Sequence, residues 1–196
     1  MALSQVQIVN LALTKLGQDR ATAITDDVEA VRVMRSLWDM ARDTALAAYP
    51  WKFAILRTTL PALATAPAGT TWARQFALPE PCLRLVQVGE DWAFYDPTAE
   101  SFALEGGNIL TNEEAPLFVR YVQRVENVGL WPPLFGRAMA MQLAMDACEK
   151  LTTSSAKYDA AERAYVMAVK EARKQSAIER PPQQNADSDW LRARGD

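Results

Sequence analysis

The chain has 196 residues, of which 49% are hydrophobic and 23% are charged, and its 21 basic and 24 acidic residues give a net charge of −3. This length and composition are typical of a globular domain with one sizeable core. The negative net charge argues against DNA binding as the main role, because DNA-binding proteins normally carry an excess of basic residues. The sequence contains no histidine, which excludes Ser-His-Asp and Cys-His catalysis and most zinc sites.

Two helices are predicted within the first 50 residues. Ser4 and Gln7 form a capping-box pattern and Gly17 follows the last apolar position, so we expect a helix from Ser4 to Leu16. Asp26 or Asp27 is the expected N-cap of the second helix. Its apolar stripe has helical spacing and comprises Val28, Val31, Met34, Trp38, Ala41, Ala45 and Ala48. Its opposite face is predicted to meet solvent or another subunit and carries Glu29, Arg32, Arg35, Asp39, Arg42 and Asp43.

After Pro50 the pattern changes to that of strands. Trp51 and Phe53 are expected to be apolar anchors, and a strand is predicted from Phe53 to Leu60. Gly106-Gly107-Asn108 indicates a hairpin turn. Further strand-like runs cover 72–78, 83–88, 92–95, 102–105, 108–110 and 117–125. The segment 51–128 is therefore predicted to be a small antiparallel β lobe.

Helices return after Trp131-Pro132-Pro133. The run from Leu134 to Leu151 is apolar on nearly all sides, which predicts a helix covered by neighbouring helices or by another subunit. A last helix with an alanine-rich stripe follows. The predicted fold class is α+β: a mainly α-helical bundle from 1–50 and 129–178, the inserted antiparallel β lobe at 51–128, and an extended C-terminal arm at 179–196.

The arm has an unusual composition. Pro181 to Asp189 lacks core-forming residues and is predicted to be disordered on its own. Trp190 and Leu191 then form an apolar pair, followed by Arg192 and Arg194. An exposed tryptophan is a common interface anchor, so we expect this pair to dock onto a partner; folding back onto the protein's own body is the alternative.

Catalytic patterns are weak in this sequence. A glycoside hydrolase needs two carboxylates held across a cleft, and Glu105 and Glu113 are the candidates for such a pair. Gly106-Gly107 lacks the later glycine and the Lys-Ser/Thr of a phosphate-binding loop. The aromatic residues of the β lobe are interleaved with acidic side chains, unlike a stacking platform for single-stranded nucleic acid. Cys82 and Cys148 lie beside apolar residues and are expected to be core thiols. We therefore predict no enzymatic activity, no cofactor and no metal site.

One resemblance stands out. The pairs Leu16-Gly17, Asp26-Asp27 and Arg42-Asp43, followed by Trp51-x-Phe53-Ala54 and Arg57, are similar to the tail tubular protein A family. Members of this family are the head-to-tail adaptors of short-tailed phages. The order of elements also resembles that family over most of the chain, although Gln18 stands where an acidic residue is expected.

The resemblance implies a structural protein that forms a twelve-subunit ring between the portal and the tail nozzle, with double-stranded DNA passing through without sequence-specific binding. The implied partners are the portal protein, the nozzle protein and further copies of the chain, without a membrane. The implied contacts are a portal-binding arm of Trp190, Leu191, Arg192 and Arg194, a nozzle-facing lobe of Trp92, Phe94 and Tyr95, and subunit contacts through Glu29, Arg32, Arg35 and Asp39.

The N-terminus lacks signal-peptide features, so synthesis in the host cytoplasm is expected. The resemblance implies a final location in the neck or tail of the virion. Two alternatives remain open. The first is a tail-associated peptidoglycan hydrolase that uses carboxylates such as Glu105 or Glu113. The second is a stand-alone helical protein-binding module whose arm folds back.

Overall fold

The computed structural model describes residues 3–89 and 101–178, and the predicted C-terminal arm lies outside them. The four helices are α1 (Gln5–Leu16), α2 (Glu29–Ala47), α3 (Pro133–Thr152) and α4 (Ser155–Ile178). The six strands are β1 (Ile55–Leu60), β2 (Arg74–Ala77), β3 (Cys82–Val88), β4 (Phe102–Glu105), β5 (Asn108–Thr111) and β6 (Leu117–Gln123). The described elements confirm the predicted α+β class.

Helix α1 begins and ends where the sequence predicts. The Ser4 side chain accepts a hydrogen bond from the Gln7 backbone N–H, and the Gln7 side chain accepts one from the Ser4 N–H. Gly17 ends the helix with φ = 70°, in the left-handed region that glycine adopts without strain. The Gln18 amide donates to the Leu151 carbonyl over 3.1 Å, a bond that an ionised carboxylate at this position would be unable to donate.

The predicted N-cap of α2 is wrong. The cap position is Val28, which makes no side-chain capping bond. The Asp26 carboxylate instead accepts hydrogen bonds from the backbone N–H groups of Thr22 and Ala23, at 2.7 and 3.0 Å, while Asp27 pairs with Arg32. Asp26 therefore stabilises a turn within the linker between α1 and α2, and its carboxylate does not cap α2.

Helix α3 lies at the centre of the bundle and packs against α1, α2 and α4. Residues Met139 to Leu143 are buried in succession, so the middle of the helix is covered on all sides, as its composition predicts. Helix α4 packs against it through small side chains, including Ala161, Ala168 and Ala172. Small residues at a helix contact allow the two backbones to approach closely.

The strands form two antiparallel three-stranded sheets, ordered β1-β6-β3 and β2-β5-β4. The predicted hairpin is confirmed, because β4 and β5 pair around Gly106 and Gly107, both with positive φ. The first strand begins later than predicted, at Ile55, because Lys52–Ala54 form a short 3-10 helix in which the Ala54 N–H donates to the Trp51 carbonyl.

The β1-β6-β3 sheet lies between the helices and the β2-β5-β4 sheet. Side chains alternate between the two faces of a strand, and on β6 Val122 joins the core of the helical bundle. On the opposite face, Leu117, Val119 and Tyr121 belong to a second, smaller core with Phe76 and Ile109. We call these the bundle core and the inter-sheet core.

Candidate functional site

The segment that carries the family resemblance forms the junction between α2 and β1. Trp51 is buried, and its Nε1–H donates to the Ala45 carbonyl in the last turns of α2 over 2.8 Å. Its ring contacts Phe135 of α3 edge-on, with 5.0 Å between ring centroids. Trp51 thus ties the end of α2 to the middle of the bundle, which confirms its predicted role as an apolar anchor.

Phe135 gathers further aromatic rings around it. Phe53 and Trp131 lie edge-on to Phe135, at centroid distances of 4.9 and 5.1 Å, and Trp131 stacks on Trp38 of α2 at 5.9 Å. Such pairs contribute roughly 0.5–1.5 kcal/mol beyond the area that they bury. We call this group the aromatic cluster, and its members are Trp38, Tyr49, Trp51, Phe53, Trp131 and Phe135.

A charge network lies beside the junction, and it corrects the predicted charge face of α2. Arg42 is buried, with 7% of its surface exposed, and it pairs with Asp43 at 2.8 Å and with Asp39 at 3.0 Å. Asp43 also accepts three hydrogen bonds from Arg124, which follows β6. Asp43 therefore links α2 to the segment that follows β6, and a quarter of its side chain stays exposed. Arg42 is buried and does not belong to the predicted exposed charge face.

The charges of this network shift the titration of its members. Burial by itself raises the pKa of Asp43. The hydrogen bonds from Arg42 and Arg124 and their positive charges lower this pKa by more, so it lies below its ordinary value. The pKa of Arg124 is raised, chiefly by its hydrogen bonds to Asp43. Both groups are held in their charged forms by the native contacts.

Two further arginines converge on the end of α2, where its last carbonyls lack helical partners. Arg84 of β3 donates to the carbonyls of Ala47 and Ala48 over 3.3 Å. Arg173 of α4 donates to the Ala48 carbonyl and lies over the ring of Tyr49, 5.4 Å from its centroid. Sequence reasoning missed Arg84, Arg124 and Arg173, and no local pattern identifies them.

The four residues predicted to contact other subunits lie on the exposed surface of α2. Glu29 pairs with Lys150 of α3 at 3.4 Å, Arg32 pairs with Asp27, and Asp39 pairs with Arg42. Arg35 forms no ion pair with any residue in 3–89 or 101–178. Among the four, Arg35 therefore has the charge most available to a neighbouring molecule.

The remaining predicted contact residues are not described by the structure. Trp92, Phe94 and Tyr95 belong to residues 90–100, and Trp190, Leu191, Arg192 and Arg194 belong to residues 179–196. Their assignments to the nozzle and to the portal stay predictions. The described parts of the β lobe that flank residues 90–100 are β3 and β4, which belong to different sheets.

The carboxylates considered for hydrolysis lie at opposite ends of the β4–β5 hairpin. Glu105 pairs with Asn108 next to the turn, whereas Glu113 lies two residues beyond the last paired residue, Thr111. The hairpin therefore holds the two residues at its opposite ends. A glycoside hydrolase holds its two carboxyl groups roughly 5–9.5 Å apart across a cleft.

The two cysteines are free thiols in packed surroundings. Cys148 is buried, with its Sγ 3.2 Å from the Thr152 hydroxyl, and partial burial raises the pKa of the Cys82 thiol. Within the described ranges, no three Asp, Glu or Cys side chains are grouped so that they could hold a metal ion. None of the described helices combines the length and apolar character needed to cross a bilayer.

Comparison of the chain with protein-family models and with curated protein sequences returns no match.

Proposed function

We propose that the protein is a structural head-to-tail adaptor of a short-tailed phage, which assembles as a ring between the portal and the tail nozzle. In this proposal double-stranded DNA passes through the ring without sequence-specific contacts, and the net charge of −3 favours passage over retention. The family resemblance supplies the ring of twelve. The protein is part of the virion neck and acts without enzymatic chemistry or a cofactor.

The observation that carries the proposal is the junction. The residues that resemble the adaptor family, from Arg42 to Arg57, connect α2, α3 and the β1-β6-β3 sheet through the aromatic cluster and the ion pairs of Asp43. An adaptor must hold one binding end in fixed orientation to the other, and a buried junction between bundle and sheets supplies that stiffness. These residues serve the body of the protein and do not form a reactive site.

The outer surface of α2 supports the contact between subunits. Glu29, Arg32, Arg35 and Asp39 place both signs of charge along the exposed surface of α2, and such charges fix register more than they add affinity. The proposed portal contact is the arm, through Trp190 and Leu191. The proposed nozzle contact is the β lobe, where Trp92, Phe94 and Tyr95 occur.

The test is a mass measurement on mixtures of the full chain with the portal ring of the same phage, by mass photometry. The proposal predicts a single added mass corresponding to a closed ring of 21.8-kDa chains. A double substitution, Trp190→Ala with Leu191→Ala, is expected to abolish the addition. The matched control, Gln183→Ala with Gln184→Ala in the same arm, is expected to retain it.

Each outcome bears on a different part of the proposal. If the wild-type chain adds no mass to the portal, the adaptor assignment is wrong. If the Trp190 and Leu191 variant still adds a full ring, the adaptor assignment stands and the portal contact lies elsewhere on the protein.

A further inference from the structure

A groove opens on the surface where the start of α3 meets the end of α4. It encloses about 390 Å³, its walls are mainly apolar, and it is lined by Leu134, Glu171, Lys174, Gln175 and Ile178. Ile178 is 71% exposed, although it is a branched aliphatic side chain. A concave apolar surface of this size, with charged groups at its edge, is typical of a binding site.

The floor of the groove continues toward the aromatic cluster. Gln175 also lines a small internal void whose other walls include Trp51, Phe53 and Phe135. The groove thus lies next to the aromatic cluster. A side chain inserted there would replace water by contacts with a fixed apolar surface.

The chain itself brings an apolar pair close to this groove. The arm starts directly after Ile178, and within residues 181–196 Trp190 and Leu191 are the only large apolar side chains. Trp190 lies twelve positions after Ile178, a length that reaches up to about 40 Å when extended, so the groove is within reach of the apolar pair.

The charges of the arm and of the groove are complementary. Asp189 precedes the apolar pair and Arg192 follows it. In the groove, Lys174 and Glu171 lie about one helical turn apart on α4. Glu171 pairs with Arg137 at 3.4 Å, but about half of each side chain is exposed, so this surface pair is weak and open to exchange.

We propose that in the free protein the groove holds Trp190 and Leu191 of the same chain, with Asp189 next to Lys174 and Arg192 next to Glu171. This docking concerns the isolated protein and does not require the adaptor function. One consequence does rest on that function: a portal that binds the same pair must first displace it from the groove. The groove then acts as a latch that covers the apolar pair until the portal is present.

The test is ¹⁹F NMR on the full chain with 5-fluorotryptophan at its six tryptophans. The signal of Trp190 is identified by its loss in Trp190→Phe. Docking predicts that this signal lies away from the position of a free fluorotryptophan peptide, and that Ile178→Glu shifts it to that position. The matched control is Val166→Glu, at another exposed apolar residue of α4 that lies outside the groove, and it is expected to leave the signal unchanged.

The other five tryptophan signals report whether each variant is folded. A Trp190 signal at the free-peptide position in the wild-type chain would overturn the proposal. A Trp190 signal that lies away from the free-peptide position and does not move in Ile178→Glu would also overturn the proposal, because the pair would then dock outside the groove. A signal that returns to the free position on dilution would assign the groove to the arm of a second copy, against docking within one chain.

Discussion

The bundle core and the inter-sheet core differ in what supports them. The bundle core draws on all four helices and on the Trp51 junction, whereas the inter-sheet core has Phe76, Ile109 and three residues of β6 as its buried members. The stability of a region follows the apolar surface that it buries. We therefore expect the bundle and the β1-β6-β3 sheet to be the rigid body, and the β2-β5-β4 sheet to be the more adaptable part that meets a partner.

The largest expected effect is that of Trp51→Ala. Removing the ring and its hydrogen bond to the Ala45 carbonyl leaves a cavity beside Phe135, and we expect a loss of roughly 3–5 kcal/mol in the free energy of unfolding. Trp51→Phe keeps one ring but loses the hydrogen bond and part of the buried indole, so we expect a smaller loss of about 2 kcal/mol. Urea denaturation measures both. Equal losses for the two variants would show that ring packing at the junction contributes little.

A substitution in the other core tests the comparison directly. Ile109→Ala is expected to cost about 3 kcal/mol locally, because Ile109 is fully buried between the sheets. Hydrogen exchange should accelerate in β2, β4 and β5 and stay unchanged in α1 and α3. Leu104→Ala, at a half-exposed position in the same sheet, is the control. Equal acceleration throughout the chain would mean that the two cores unfold as one unit.

The charge network is expected to contribute less than either core. Asp43→Asn removes the carboxylate that accepts from Arg124 and leaves the buried Arg42 with only the exposed Asp39. Breaking a fully buried pair costs roughly 3–5 kcal/mol. A quarter of the Asp43 side chain is exposed, so we expect about 2 kcal/mol in urea denaturation. Asp19→Asn, at an exposed linker position, should change stability by less than about 0.5 kcal/mol.

The stability difference between the wild type and Asp43→Asn is expected to depend on pH. The pKa of Asp43 is lower in the folded state than its ordinary value of 3.8, so its carboxylate stabilises the fold above that value and loses this contribution as the pH falls through the folded-state pKa. The stability gap between wild type and Asp43→Asn should be constant near neutral pH and shrink below 3.8. A gap that widens in acid would contradict the lowered pKa.

The smallest effect on stability is expected at Arg35. Arg35→Glu should change the free energy of unfolding by less than about 0.5 kcal/mol, because the side chain is exposed and forms no ion pair within residues 3–89 and 101–178. It should nevertheless prevent ring closure on the portal. Arg163→Glu, an exposed arginine of α4, is the matched control and should assemble normally. Normal assembly of Arg35→Glu would remove Arg35 from the subunit contact.

Sequence patterns predict those elements that short-range chemistry decides. The Ser4 cap, the Gly17 end of α1 and the turn at Gly106-Gly107 each depend on neighbours within about four residues. The same reasoning failed at Asp26, because its carboxylate has N–H groups on both sides of it in the sequence. It binds those of Thr22 and Ala23 in the linker and does not bind those at the start of α2. It also placed β1 too early, because the anchoring of Trp51 curls the next three residues into a turn.

The junction was only half predictable. Trp51 can be identified from its residue type and position, but the arginines that pair with Asp43 and bind the end of α2 come from far along the chain. Arg84, Arg124 and Arg173 lie 37, 81 and 125 positions from residues that they contact. An arginine on the polar face of a helix is predicted to be exposed unless the element that covers it is known, and that element cannot be identified from a single sequence.

A cryo-electron microscopy reconstruction of the portal ring mixed with the full chain tests the adaptor proposal as a whole. We expect a closed ring of copies on the portal, with neighbouring subunits in contact through the outer surface of α2 and the β2-β5-β4 sheet directed away from the portal. A portal without an added ring would rule out the adaptor function, and a ring in which that sheet meets the portal would rule out the proposed orientation.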